Sequence, residues 1–358
     1  MTTQPPSSSR HAHEPALEPG LPIVDPHHHL WDLRPHLAHL PRGHAVMEGL
    51  RDAPCYQFED LLRDASQGHD VRATVYMECG SSYRTDGPDE LRPLGEVEFA
   101  NRVAEQSRAD GRLRACAGIV GHANLLLGDA VARVLEAGIS AAPERLKGVR
   151  HMSAYDADPA VLGPTGHAPA GMLGSDAFRA GFRHLDLLGL SFDAWVLEPQ
   201  LGDVTALAHA FPRTQIVIDH IGAPLGIASY AGRLTDRFPI WRASMRELAR
   251  CPNVVVKLGG LGNAITGTAR GERVSSVTLA AAWQPYVLEC IEAFGATRCM
   301  FESNFPVDSW AADYSTTWNA FKRITATASA ADKAALYAGT AARIYRLGDI
   351  DLAVAPSP

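Results

Sequence analysis

Three histidines stand in a row in Ile23-Val24-Asp25-Pro26-His27-His28-His29-Leu30-Trp31, directly after a short apolar run. Along an extended chain successive side chains alternate faces, so Asp25, His27 and His29 share one face and His28 takes the other. Imidazole is the commonest ligand for borderline metals such as zinc, and two on one face can converge on one ion or one substrate group. A surface turn holding no ligand is the plain alternative, weakened here because other chemical groups also close apolar runs. Glu78 ends Val75-Tyr76-Met77-Glu78, His122 follows Ile119-Val120-Gly121, His220 ends Ile216-Val217-Ile218-Asp219-His220, and Glu302 and Asn304 lie in Met300-Phe301-Glu302-Ser303-Asn304. Several such groups at several strand ends argue for a site. Arg150, in Lys147-Gly148-Val149-Arg150-His151, offers a planar fork for a carboxylate, with an ordinary salt bridge as the equal alternative. Lys257 either points into the same mouth or snorkels outward. Asp193 and Trp195 share a face and line the site or, for Trp195, pack the core.

These residues need elements to position them. Apolar and β-branched runs fall at 21–25, 71–78, 113–121, 145–151, 190–196, 215–220, 253–258 and 298–303. Helical periodicity fills 58–65, 95–109, 130–137, 177–188, 240–250 and 279–294 between them. Strand alternating with helix implies a parallel sheet covered by helices. Eight such repeats without a break in composition favour a closed (β/α)₈ TIM barrel over an open doubly wound sheet. The glycines of Leu258-Gly259-Gly260-Leu261-Gly262 read as a loop only, since they do not open a helix as a phosphate loop would. Long Gly, Pro, Ser or His-rich connections at 153–175, 222–238 and 259–276 belong, in a barrel, to the C-terminal face, where they wall a pocket. The expected organisation is a flexible leader (1–20), one barrel domain (21–350) and a short tail (351–358).

Composition narrows the function. The chain has 358 residues, 46% apolar and 20% charged, with 33 Lys plus Arg against 40 Asp plus Glu and a formal charge of -7. A negative chain without a dense basic run argues against a nucleic-acid partner, and no apolar run is long enough to span a bilayer. The six cysteines lack a C-x-x-C pair and suit a reducing cytoplasm. No G-x-S-x-G elbow, P-loop or cysteine-protease signature is present. What remains is a hydrolytic or lytic site of His, carboxylate and Arg acting on a small molecule.

Taken in order, Asp25-Pro26-His27-His28-His29-Leu30-Trp31, Lys147-Gly148-Val149-Arg150, Val217-Ile218-Asp219-His220-Ile221-Gly222 and Phe305-Pro306-Val307 resemble the amidohydrolase superfamily. The similarity is to the branch that includes 2-pyrone-4,6-dicarboxylate lactonase, sugar-acid lactonases and sulfomuconolactone hydrolase, and it covers nearly the whole chain after the leader. It implies a distorted (β/α)₈ barrel that opens a lactone or similar cyclic ester of a small carboxylated compound. His27, His29 and His220 would hold one divalent ion, zinc first among candidates. Metal-free operation stays open because the branch contains both kinds. Arg150 and Glu78 would bind substrate. The family's proton acceptor is an Asp on the eighth strand, where this chain reads Glu302-Ser303-Asn304-Phe305-Pro306. An amide cannot take a proton as a general base, so Glu302, two residues earlier on the same face, is the expected replacement beside Asn304. Two alternatives stand: a metal-dependent decarboxylase or other lyase of the same superfamily, and a barrel that binds without turnover. Oligomeric state is not legible.

Overall fold

The runs rich in Val, Ile and aromatic residues form strands because branched side chains pack well on a pleated surface. In the computed structural model, which describes residues 14–268, 274–348 and 350–353, eight parallel strands make one sheet. They are β1 (Pro22–His28), β2 (Asp70–Met77), β3 (Arg114–His122), β4 (Leu146–Arg150), β5 (Ser191–Ala194), β6 (Ile216–Ile218), β7 (Val254–Leu258) and β8 (Cys299–Phe301). Each pairs with the next in chain order. The sheet closes through a parallel bridge between His28 and Phe305, with His29 N–H donating to Phe305 O (2.8 Å) and Asn304 N–H to His27 O (3.0 Å). The chain is a TIM barrel, as eight β/α repeats require.

All eight strands lie where the apolar runs predict, and their lengths differ in an informative way. Several end one or two residues before the expected terminus, so that Glu78, His151, His220 and Glu302 stand just past the ladder, where loop geometry aims them. The helix expected at 58–65 is Phe58–Ala65, and that at 279–294 begins earlier, at Ser276, capped by the Ser275 side chain on Thr278 N–H. Helices also form at Leu201–Ala210 and Tyr314–Ile324, outside the segments that helical periodicity predicts.

Alternation divides each strand between two layers. Ile23, Tyr76, Ile119, Val149, Phe192, Ile216, Ile218, Val256 and Phe301 face the helices. Val24, Ala73, Val75, Met77, Val120, Val217, Val255 and Met300 fill the barrel interior, where Ala338, Ala341, Ile344, Tyr345 and Leu347 pack against them. Arg346 donates to Lys147 O at the start of β4 (3.2 Å), so this C-terminal segment plugs the N-terminal end of the barrel.

One alternation reading fails. Asp25 does not share the inward face of His27 and His29: the β1–β2 register slips between Asp25 and His28. Asp25 instead accepts from Ser303 N–H (3.0 Å) and the Tyr314 hydroxyl (3.0 Å), tying β1 to the closing segment and the helix Tyr314–Ile324. Of the expected leader and tail, residues 1–13 and 354–358 lie outside the described residues. Residues next to the barrel are bonded to it: Leu17 N–H donates to Asn319 Oδ1 (2.8 Å), Ser276 N–H to Glu14 (2.9 Å) and Lys322 Nζ to Glu18 O (2.9 Å). No helix among the described residues is long and apolar enough to cross a membrane.

Candidate active site

Two residues above the apolar interior layer, the same inward faces carry charge. Val217 is followed by Asp219, Val255 by Lys257 and Met300 by Glu302, all fully buried. Lys257 Nζ lies 2.8 Å from Asp193 Oδ2, 3.0 Å from Asp219 Oδ1 and 3.2 Å from His27 Nδ1. The Tyr345 hydroxyl donates to Asp193 from the plug at the far end (2.5 Å). Burial lowers the Lys257 ammonium's pKa, but Asp193, Asp219 and Glu302 outweigh it and hold the group charged, above its ordinary value. The sequence left Lys257 open between two directions, and its inward place follows from alternation with Val255.

Glu302 sits between two imidazoles. Its Oε2 is 2.7 Å from His27 Nδ1, its Oε1 is 2.7 Å from His220 Nδ1, and Oε1 also accepts from His220 N–H (3.1 Å). Burial pushes this carboxyl up, yet His220 and His27 together hold it far below the usual carboxylate range. Reciprocally, burial lowers His220, but Glu302 and Asp219 raise it above the ordinary histidine value. The pair needs close backbone approach. A Cβ on Gly259 would fall 2.4 Å from Glu302 Cγ, and one on Gly260 would fall 2.3 Å from His220 Cγ. The Gly259-Gly260 pair, a loop by sequence, therefore also makes room for Glu302 and His220. His220 itself has left-handed backbone (φ 55), as do Ile221 (φ 50) and Ala223 (φ 46), which turns the ring off the strand path.

Above this layer a cleft of about 350 Å³ opens at the C-terminal face, with His29, Glu78, His122, Arg150, His220, Asn263 and Asn304 among its lining residues and Trp31, Leu33, Val46, Tyr83, Met152 and Trp195 in its walls. His29 Nδ1 donates to Met77 O (2.9 Å), which leaves Nε2 toward His27 Nε2 at 3.3 Å. His29 is pushed well below the ordinary histidine value by burial, then by His27 and Arg150. The donors fit a metal ion. Two zinc ligands at about 2.0–2.1 Å in tetrahedral geometry stand roughly 3.3 Å apart, the separation of these two nitrogens. His27, Asp219 and His220 also offer donor atoms within 4.8 Å of one another. Four buried carboxylates, Glu78, Asp193, Asp219 and Glu302, face two fixed cations, Arg150 and Lys257, so added positive charge is accommodated.

The structure thus brings His27, His29, His220, Glu302, Asn304, Arg150 and Glu78 together, with two corrections to their expected roles. Arg150 is not a free fork: Nε is 2.7 Å from Glu78 Oε1, Nη2 donates to Glu78 O, and Nη1 is 3.3 Å from Asp219 Oδ2. Glu302 does not reach the cleft, because both oxygens are held by imidazoles one layer down. Asn304 does reach it: Nδ2 donates to Asp308 Oδ1 (2.7 Å), and Oδ1 is buried with no hydrogen-bond partner. Asp308, pushed up to about 7 by burial against the pull of His220 and Asn304, also accepts from Gly262 N–H (3.0 Å). Asp219 lies outside the candidates that the strand ends suggest, although alternation from Val217 leads to it. Trp195 lines the cleft.

Comparison with known proteins bears on the family and the fold. Residues 24–347 match the family model described as amidohydrolase. A Sinorhizobium fredii protein, y4mH, is 32% identical over 329 residues, 91% of this chain and 98% of its own length. An L-fucono-1,5-lactonase of Burkholderia multivorans is 32% identical over 280 residues, 73% of this chain and 86% of that protein. The crystal structure of an amidohydrolase from Burkholderia multivorans with bound zinc superposes with a TM-score of 0.68 at 28% identity, covering 91% of this chain and 99% of the other.

Proposed function

This chain belongs to the amidohydrolase family, and from that premise we propose that it is a hydrolase that opens a lactone or similar cyclic ester of a small molecule. The observation that carries the reading is the carboxylate-braced imidazole: Glu302, fully buried, holds His220 Nδ1 at 2.7 Å while the His220 ring lines the cleft. A carboxylate on Nδ1 fixes the ring and stabilises the imidazolium formed when the other nitrogen takes a proton. His220 accordingly removes a proton from the attacking water and returns it to the departing ring oxygen. Glu302 stays ionised between the two imidazoles and does not carry the water's proton, because it lies a layer below the cleft. The partnerless Asn304 Oδ1 accepts a hydrogen bond from that water, a role an amide fills where it cannot act as base. Arg150, braced by Glu78, presents fixed positive charge at the cleft floor toward the oxygen that becomes negative.

His27 and His29, with Asp219 as a further donor, are the residues that would hold a divalent ion, while His220, expected from sequence among the ligands, keeps its free nitrogen for the water's proton. Zinc is our first candidate, supported by the nitrogen spacing and by the zinc in the Burkholderia multivorans structure. Such an ion would polarise the lactone carbonyl as a Lewis acid. We place the protein in the cytoplasm, a reading its six free cysteines support.

The test is ring opening of a lactone panel, followed by acid release, with the purified full chain before and after chelation and zinc return. Turnover that His220→Asn abolishes while retaining the wild-type circular dichroism is the expected result. Carbon dioxide release from aromatic acids with no lactone opened would replace this reading by the lyase one.

A further inference from the structure

The cleft has a polar floor and largely apolar walls, and several of the polar groups along it are already turned to their own backbone. Among the neutral polar side chains that line it, Ser81 Oγ already donates to Leu30 O (3.1 Å) and Thr165 Oγ1 to Leu162 O (2.6 Å). Asn263 Oδ1 accepts from Ile265 N–H (3.1 Å) and Asn304 Nδ2 donates to Asp308 Oδ1 (2.7 Å), which leaves Asn304 Oδ1, the acceptor for the attacking water, on the floor. Most of these groups are turned to their own backbone, so a substrate hydroxylated along its whole length would leave several hydroxyls without partners, and an unmade hydrogen bond is costly. Trp31 offers no polar handle either: its Nε1 donates to Ala53 O (2.8 Å), and its ring stacks on His29 with centroids 5.8 Å apart and planes 23° from parallel. Arg150 is the one Lys or Arg among the described lining residues, and its fork is held by Glu78, so a dicarboxylate finds no unoccupied guanidinium there.

The mouth carries the opposite signal. Only six large apolar side chains are strongly exposed among the described residues, and two of them, Tyr83 at 36% and Met152 at 41%, stand at this cleft. Exposed apolar groups gathered at one concavity mark a ligand surface. We infer that the substrate is a lactone whose ring bears an apolar arm, aromatic or aliphatic, which lies against Trp31, Tyr83, Met152 and Trp195 while the ring carbonyl faces the histidine floor. This rests on the hydrolase reading for the reacting end, but the walls select the arm whatever reaction follows. At about 350 Å³ the space is near the lower end of small-molecule sites, which suits a single ring with a short arm.

The test uses three six-membered lactams, stable mimics of the lactone ring: one phenyl-substituted, one polyhydroxylated and one dicarboxylated. Their binding to the full chain is measured by calorimetry, so the result does not depend on turnover. The phenyl lactam should bind at least about tenfold more tightly than either other. Met152→Gln, at an exposed position that folding tolerates, should weaken the phenyl lactam severalfold. Equal or tighter binding of the hydroxylated or dicarboxylated lactam, no millimolar binding of the phenyl lactam, or an unchanged affinity in Met152→Gln would each overturn the inference. Phenyl lactam binding without opening of any lactone would sink the hydrolase reading alone.

Discussion

The interior of this barrel holds two layers built on the same strands, with opposite chemistry. The lower one is Val217, Val255 and Met300 packed under the C-terminal plug; the upper one is Asp219, Lys257 and Glu302, two residues further along the same faces. Two residues of strand span about 7 Å, so a hydrocarbon core passes into a network of buried ions within one side-chain layer. The lower layer stabilises by removing apolar surface from water. The upper layer takes charges out of water at a cost that its mutual ion pairs only offset, which is tolerable where the fixed charges orient a reaction. The apolar floor beneath also keeps water from screening those charges.

If that division is right, the largest effect should come from the upper layer on activity. Glu302→Gln should lower kcat/KM by about 10²–10⁴-fold while circular dichroism retains the barrel. Its pH profile sharpens the point. His220 must be unprotonated to act as base, and its pKa is raised by Glu302, so wild-type activity should climb with pH as that proton leaves. With the carboxylate gone, burial dominates and the rising limb of the residual activity should move to lower pH. A limb that stays in place would assign the proton transfer elsewhere.

Lys257→Met tests whether the upper layer also bears on stability. It leaves Asp193 and Asp219 facing one another without their cation, and denaturant unfolding should show a loss of about 3–5 kcal/mol. A smaller loss would mean that the carboxylates regain protons readily. In the lower layer, Met300→Ala should cost about 2–5 kcal/mol by emptying a packed site, with kcat/KM close to wild type. A large fall in turnover there would erase the distinction between layers. Asn304→Asp should have the smallest effect. It sets a carboxyl against Asp308, whose pKa is already about 7, so the two must share a proton, and stability should fall by about 1 kcal/mol with activity altered less than about tenfold near neutral pH.

Strand periodicity by itself determined the eight strands and the inward direction of most of this chemistry, because side chains alternate along a strand whatever its neighbours are. Val255 to Lys257 and Met300 to Glu302 follow that rule, and so would Val217 to Asp219. Tertiary structure decided the exceptions. Asp25 turns outward because closing the sheet shifts the register after it, and His220 turns inward because left-handed backbone at residues 220 and 221 breaks the alternation. The partners were equally beyond sequence. Nothing local to Arg150 says that Glu78, 72 residues away, holds its fork, nor that Gly259 and Gly260 are small because Glu302 and His220 lie against them. Alternation depends on one chain's own geometry, whereas a hydrogen bond between strands depends on how all eight are staggered when the barrel closes.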